Sequence, residues 1–237
     1  MTRRRWMVDG VEGKRAWLQG DHAAHLVRVL RARLGQEFDL ATPNGVFLGR
    51  VTSLGEDRVE FEVGEALRVA SLPEVTLVLA IFKFDRLEWA IEKATELGVV
   101  RIQPVVASRT EKHLAAAAAK RVERWRRIAL QATEQSRRAA APQIMDPCRL
   151  EDVCSLSAAT RVVLAESGTR LPLTQTLLSH PTGSSVALAV GPEGGWTAAE
   201  ARMLQRAGWV SASLGPTILR AETAAIAALA VVMAELQ

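Results

Sequence analysis

SVALAVGPEGGWTAAEARMLQRAGWVSASLGPTILRAET, residues 185–223, sets two apolar runs each before a glycine-bearing loop and a helix. The first run, 185–190, is short, continuous and bounded by Gly191, which predicts a strand buried on both faces of a parallel sheet. Thr197 with Glu200 has capping-box spacing, so hydroxyl and carboxylate can satisfy the first free amides of a helix over 197–206. Gly208 stops that helix. A second strand over 209–214 runs into Gly215-Pro216, and helix resumes over 222–236. Two glycine loops then leave the carboxyl ends of strands in one sheet, where open α/β sheets bind ligands. Glycine lets the main chain approach such a ligand closely.

Upstream of this stretch the chain keeps the same rhythm. From Val75 on, apolar strands alternate with amphipathic helices: a strand over 75–81, a helix over 86–97 closed by Gly98, and a strand over 101–106. A long helix or helix pair follows over 115–138, then a strand over 161–165 that ends in a third loop at 166–168. Such alternation is the signature of a parallel α/β sheet. Residues 1–70 read differently. Short alternating runs separated by Pro43-Asn44-Gly45 and Gly55-Glu56-Asp57 predict a small β-barrel. It holds one short helix, 22–32, with Leu26, Val29 and Leu30 turned to the core. The change of pattern at 71–74 divides the chain into domains 1–70 and 74–237.

Composition narrows the function classes. The formal net charge is +4 and the pI about 9.6, which favours a polyanionic partner such as RNA or DNA. Arg3, Arg4, Arg5, Arg28, Arg31, Arg33 and Arg50 crowd the first domain. Cys148 and Cys154 form no C-x-x-C pair and adjoin no histidine pair, so neither a metal site nor a disulfide framework is expected. Their reading as free thiols, with no secretory signal or bilayer-length apolar stretch, points to the cytoplasm and no membrane. Gly195 is followed by Trp196-Thr197 where a phosphate-binding P-loop needs Lys-Ser/Thr, and no G-x-G-x-x-G follows a strand.

The segments 188–195 and 214–224 resemble the paired motif of the RsmE family, the 16S ribosomal RNA uridine-N3 methyltransferases of the SPOUT class. The resemblance extends to Lys83, Asp85, Lys93, Glu96, Leu97, Gly98 and Pro104, and to Glu134-Gln135-Ser136 before Pro142, where Arg137 stands in place of the usual Gly. In the first domain His25, Val29, Leu30 and Arg31 match a family H-x-x-x-V-L-R motif. It implies a SPOUT-type parallel sheet with a C-terminal trefoil knot, a PUA-like N-terminal barrel, and S-adenosyl-L-methionine (AdoMet) held in the knot. It also implies a homodimer built around the closing helix and a 16S rRNA or small-subunit partner.

Carried onto this chain, the resemblance puts the cofactor against Leu164, Ala165, Glu166, Gly191, Glu193, Gly194, Gly195, Leu214, Gly215, Thr217, Ile218, Leu219 and Thr223. RNA contacts are expected from Arg4, Arg5, His25, Arg28, Arg31, Lys83 and Arg109. Methylating N3 requires loss of the imide proton beside a cation that stabilises the uridinate. Arg138 and Arg220 are candidates for the cation and Glu222 for the proton acceptor. Each has a plainer reading, since Glu222 also suits a helix start and Arg220 can simply pin its loop. A 2′-O-ribose methyltransferase of the same superfamily and a noncatalytic RNA-binding assembly factor remain the alternatives.

Overall fold

The protein is described by a computed structural model covering residues 4–69, 71–165, 171–179 and 185–236. It divides into two compact units: Met1–Ser71 with Thr133–Ala140, and Leu72–Ala132 with Ala141–Gln237. Arg3, one of the arginines crowding the first domain, and Glu166, a cofactor candidate, lie outside the described residues.

The first unit is built on β1 (Arg5–Met7), β2 (Gly10–Glu12), β3 (Arg15–Gln19), β4 (Glu37–Thr42), β5 (Gly45–Leu54) and β6 (Arg58–Ala66). They form one sheet in the order β1-β4-β5-β6-β3-β2. Pro43 and Asn44 alone connect β4 to β5, in keeping with their turn chemistry. Alternate residues face one core that includes Trp6, Leu18, Leu26, Phe38, Leu40, Val59 and Phe61. Phe38 and Phe61 meet edge to face with ring centroids 6.2 Å apart.

Between β3 and β4 the expected helix is shorter than its pattern and changes pitch. The α-helical turn α1 (Asp21–Ala24) passes into a π-helical turn at His25–Val29, closed by the bond from Leu30 N–H to His25 C=O at 3.1 Å. Arg31 then takes a left-handed φ of 51° and ends the helix. The wider turn rotates the side chains out of α-helical phase. Leu26 stays buried and Leu30 packs on the core, but Val29, expected there too, is 63% exposed.

The second unit holds β7 (Glu74–Ala80), α2 (Phe84–Leu97), β8 (Arg101–Val106), α3 (Lys112–Ala118) and, after a 3-10 turn, α4 (Val122–Gln135), whose last residues belong to the first unit. It continues with β9 (Gln143–Ile144), β10 (Cys148–Arg149), β11 (Thr160–Leu164), β12 (Leu171–Pro172), α5 (Leu173–Ser179), β13 (Ser185–Val190), α6 (Ala198–Arg206), β14 (Val210–Ser213) and α7 (Ala221–Glu235). The expected helix over 115–138 is thus a pair, and it stops at Gln135. All strand pairs here are parallel, in the order β10-β8-β7-β13-β11-β14-β12 with β9 beside β8.

Both faces of this sheet are covered. Leu77, Leu79, Leu188 and Val190 join α2, α5 and α7 in one core, while Val78, Ala80, Ala187 and Ala189 meet Leu204 of α6 and Trp209 in the other. That two-sided burial explains why β13 reads as an unbroken apolar run. Helix α7 buries Ala225, Ala228, Leu229, Val232 and Met233 inside the unit. No helix among the described residues is long and apolar enough to cross a membrane.

Candidate active site

Strand β11 lies between β13 and β14 and runs parallel to both, so the carboxyl ends of all three strands lie at the same end of the sheet. There a cleft of about 810 Å³ is lined by Leu164 and Ala165 at the end of β11 and by the turns after β13 and β14. The lining includes Leu164, Ala165, Gly191, Glu193, Gly194, Gly195, Leu214, Gly215, Thr217, Ile218 and Leu219. These are the cofactor candidates proposed from the sequence, apart from Glu166 and Thr223. Thr223 sits on the exposed side of the first turn of α7 and does not line the cleft.

Specific contacts hold the turns in place. Pro192 C=O accepts from Gly195 N–H at 2.8 Å, and Gly195 takes a φ of 68°, which L-residues other than Asn and Asp rarely adopt. Arg109 lays its guanidinium on the Gly194 carbonyl, so this side chain, expected on RNA, braces the first glycine turn. The Trp196 indole donates to Leu164 C=O at 3.1 Å and links the turn after β13 to the end of β11. Gly215 has a φ of 125°, and a Cβ there would meet no atom within 4 Å. Its backbone therefore faces open space.

Behind the first turn, α6 is anchored by the predicted capping box. Thr197 Oγ1 accepts from Glu200 N–H at 3.2 Å, and Glu200 Oε2 accepts from Thr197 N–H at 2.7 Å. Glu200 Oε1 also accepts from Ser108 N–H at 2.7 Å, fastening the loop that carries Arg109. Burial works to raise the Glu200 carboxyl, but hydrogen bonds from Ser108 and Thr197 outweigh it and hold the group below the ordinary carboxylate range.

A smaller recess of about 460 Å³ adjoins the cleft and shares Glu193, Ile218 and Leu219 with it. Lys83, Arg86, Glu111 and Arg220 complete its lining. Arg220 and Lys83, expected for catalysis and RNA, are thus brought together here. Glu222, the sequence's candidate proton acceptor, lines neither recess. It is 6% exposed and pairs with Arg86, Nη1 to Oε1 at 3.4 Å. Arg86 and Trp196 were absent from the sequence-based candidates. Their only signals were membership of the Lys83-to-Arg86 segment and an indole directly after Gly194-Gly195.

In the first unit Arg4 lies over the Trp6 ring, its guanidinium 5.8 Å from the centroid, and His25 stands exposed beside the same ring at 5.8 Å. Arg28 and Arg31 are exposed, Arg28 within 3.4 Å of Glu56. Arg5 turns inward to the Arg137 carbonyl and lies 3.7 Å from Asp39. His22 bridges Asp9 and Glu134, each at 3.3 Å. Arg138 is buried in this unit, and burial lowers its guanidinium to about 10, so it remains a cation at neutral pH.

The cleft suits the expected methyl donor on physical grounds. Its volume falls in the range of small-molecule sites, with apolar walls at Leu164, Leu214, Leu219 and Trp196. The two glycine turns offer main-chain polar groups where no Cβ intervenes. Among the described residues no group of His, Cys, Asp and Glu side chains could hold a metal.

Fold and cleft define the class, an RNA methyltransferase. A family model described as an RNA methyltransferase domain matches residues 70–233, and one described as an RNA methyltransferase PUA domain matches residues 18–64. The chain is 33% identical over 225 residues to ribosomal RNA small subunit methyltransferase E of Bacillus subtilis, covering 91% of this chain and 88% of that one. It is similar in structure to the enzyme of that name from Neisseria gonorrhoeae bound to S-adenosyl methionine, with a TM-score of 0.83, 27% identity, and 99% and 98% of the two chains covered. A putative methyltransferase of Legionella pneumophila, also in complex with the bound cofactor, gives a TM-score of 0.84 at 28% identity over 99% and 98% of the chains. This chain belongs to the ribosomal RNA small subunit methyltransferase E family.

Proposed function

We propose that this protein transfers a methyl group from AdoMet to N3 of a uridine in 16S rRNA of the small subunit. The observation that carries this reading is the cleft at the ends of β13, β11 and β14, enclosed by paired glycine turns in a chain whose relatives are small-subunit rRNA methyltransferases. When bound, AdoMet supplies an electrophilic methyl group. The chain's part is to hold the base in line and take up its proton.

In this reading residues 74–237 bind AdoMet in a trefoil knot, chiefly through the main chain of the turns at 164–166, 191–195 and 214–219, with Thr223 close by. Residues 1–70 grip the RNA in a PUA-like barrel through Arg4, Arg5, His25, Arg28 and Arg31, while Lys83 and Arg109 extend that grip in the second domain. The π-helical turn supports this role, since His25, Arg28 and Val29 within it and Arg31 just after it are all exposed. Arg138 and Arg220 are the cations offered to the uridinate. The chain acts as a cytoplasmic homodimer, a state supported by Ala230 and Ala234 on the exposed side of α7 and by half-buried Ile226, Ala227 and Val231.

The test is mass mapping of 16S rRNA from a strain lacking this gene, with and without complementation, after incubation with enzyme and AdoMet. One added methyl on a uracil base is expected. A methyl on ribose would identify a 2′-O-methyltransferase, and no AdoMet consumption on rRNA or subunits would identify a binding factor.

A further inference from the structure

The smaller recess has no assigned occupant, and its composition is specific. Lys83, Arg86 and Arg220 surround it with cations, Glu111 and Glu193 add carboxylates, and Ile218 and Leu219 form an apolar wall. Glu193 lines both this recess and the donor cleft, and so lies where the two meet. Among the described residues it makes no hydrogen bond or ion pair, while Glu111 lies 3.5 Å from His113, and Glu222 lines neither recess, its Oε1 3.4 Å from Arg86 and its Oε2 buried without a hydrogen-bond partner. Ile218, on that apolar wall, is 81% exposed, so its side chain is open to a ligand.

Resting on the methyltransferase reading above, we propose that this recess is the acceptor-base pocket and that Glu193, rather than Glu222, takes the N3 proton. The imide edge of uracil presents acceptor, donor, acceptor: O4, N3–H, O2. A carboxylate among cations is complementary to that order, with Glu193 accepting from N3–H while the Lys83, Arg86 and Arg220 side chains donate toward O2 and O4. Ile218 and Leu219 pack against the ring face. Glu222 is a positioning residue that holds Arg86 from behind.

The step balances. The N3–H bond breaks and its proton passes to a Glu193 carboxylate oxygen. The electron pair left on N3 forms the N–CH₃ bond as the donor's S–CH₃ bond breaks, leaving a neutral thioether. Glu193 is exposed and returns the proton to water. The charged groups facing it are Lys83, Arg86, Glu111 and Arg220 in the recess, and Arg109 and Arg202 in the cleft.

The experiment is Glu193→Gln in the full chain, read by AdoMet calorimetry and by the pH profile of methyl transfer to 16S rRNA. AdoMet affinity is expected to stay within about twofold of wild type, and kcat at neutral pH to fall by about 10²-fold or more, as for loss of a general base. The deficit shrinks as pH rises, because the imide then ionises without help, and Glu193→Asp recovers part of the rate. A tenfold or greater loss of AdoMet affinity at unchanged kcat would make Glu193 a donor-binding residue and overturn the proposal. A deficit that is the same at every pH would do so as well. Failure of the functional reading itself is distinct, because wild type would then place no methyl on N3.

Discussion

Arg137 is the residue at which the departure from the family's motif can be weighed physically. It occupies the place of the usual Gly and adopts a φ of 57°, the left-handed region that glycine enters freely. The backbone has kept the conformation, and the side chain bears the strain, on the order of 1 kcal/mol. Arg5 fixes the strained peptide by donating to the Arg137 carbonyl. Arg137→Gly is therefore expected to raise the urea midpoint, with a gain of up to about 1 kcal/mol after the added freedom of an unfolded glycine is deducted. A lower midpoint would show that the exposed guanidinium contributes more than the strain removes. The sequence exposed the substitution but not its backbone. Nor did it distinguish Glu193 from Glu222: a carboxylate in a glycine loop reads as a turn residue, and only in the folded chain does one line two recesses while the other is buried beside Arg86.

Among the elements, those whose signals are local were legible. Strand β13 has the predicted span, 185–190, because a glycine bounds an apolar run, and α6 begins at Thr197 because its capping box needs only the next three residues. The π-helical turn at His25–Val29 was not legible, because its pattern fits an α-helix equally well until Arg31 turns left-handed. The cap of α6 has a measurable consequence. Thr197→Ala should cost about 1 kcal/mol in chemical denaturation at neutral pH. The Glu200 carboxyl sits below its unfolded range, so the folded state resists its protonation. Its contribution is full at neutral pH and is lost as pH falls through and below the ordinary carboxylate range. The Thr197→Ala penalty should therefore shrink on acidification, and a penalty independent of pH would separate the cap from Glu200.

At the scale of the whole molecule, the alternation of strands and helices announced the parallel sheet but not the strand order. Placing β11 between β13 and β14 gathers the ends of three strands, and nothing local in 160–165 signals that neighbourhood. The grouping of Thr133–Ala140 with Met1–Ser71 was equally hidden, since it breaks the sequential boundary drawn at 71–74. The turns themselves matter most, because the proposed methyl transfer depends on their enclosing a methyl donor. Calorimetric titration of AdoMet into wild type and Gly215→Val tests this most directly. Gly215 has a φ of 125° that valine cannot share, and its Cβ would project into open space rather than into the core. Wild type should bind AdoMet at one site per chain, and Gly215→Val should remain folded by circular dichroism yet show no binding heat. A folded Gly215→Val with unchanged AdoMet affinity, or a wild type that binds none, would contradict the account.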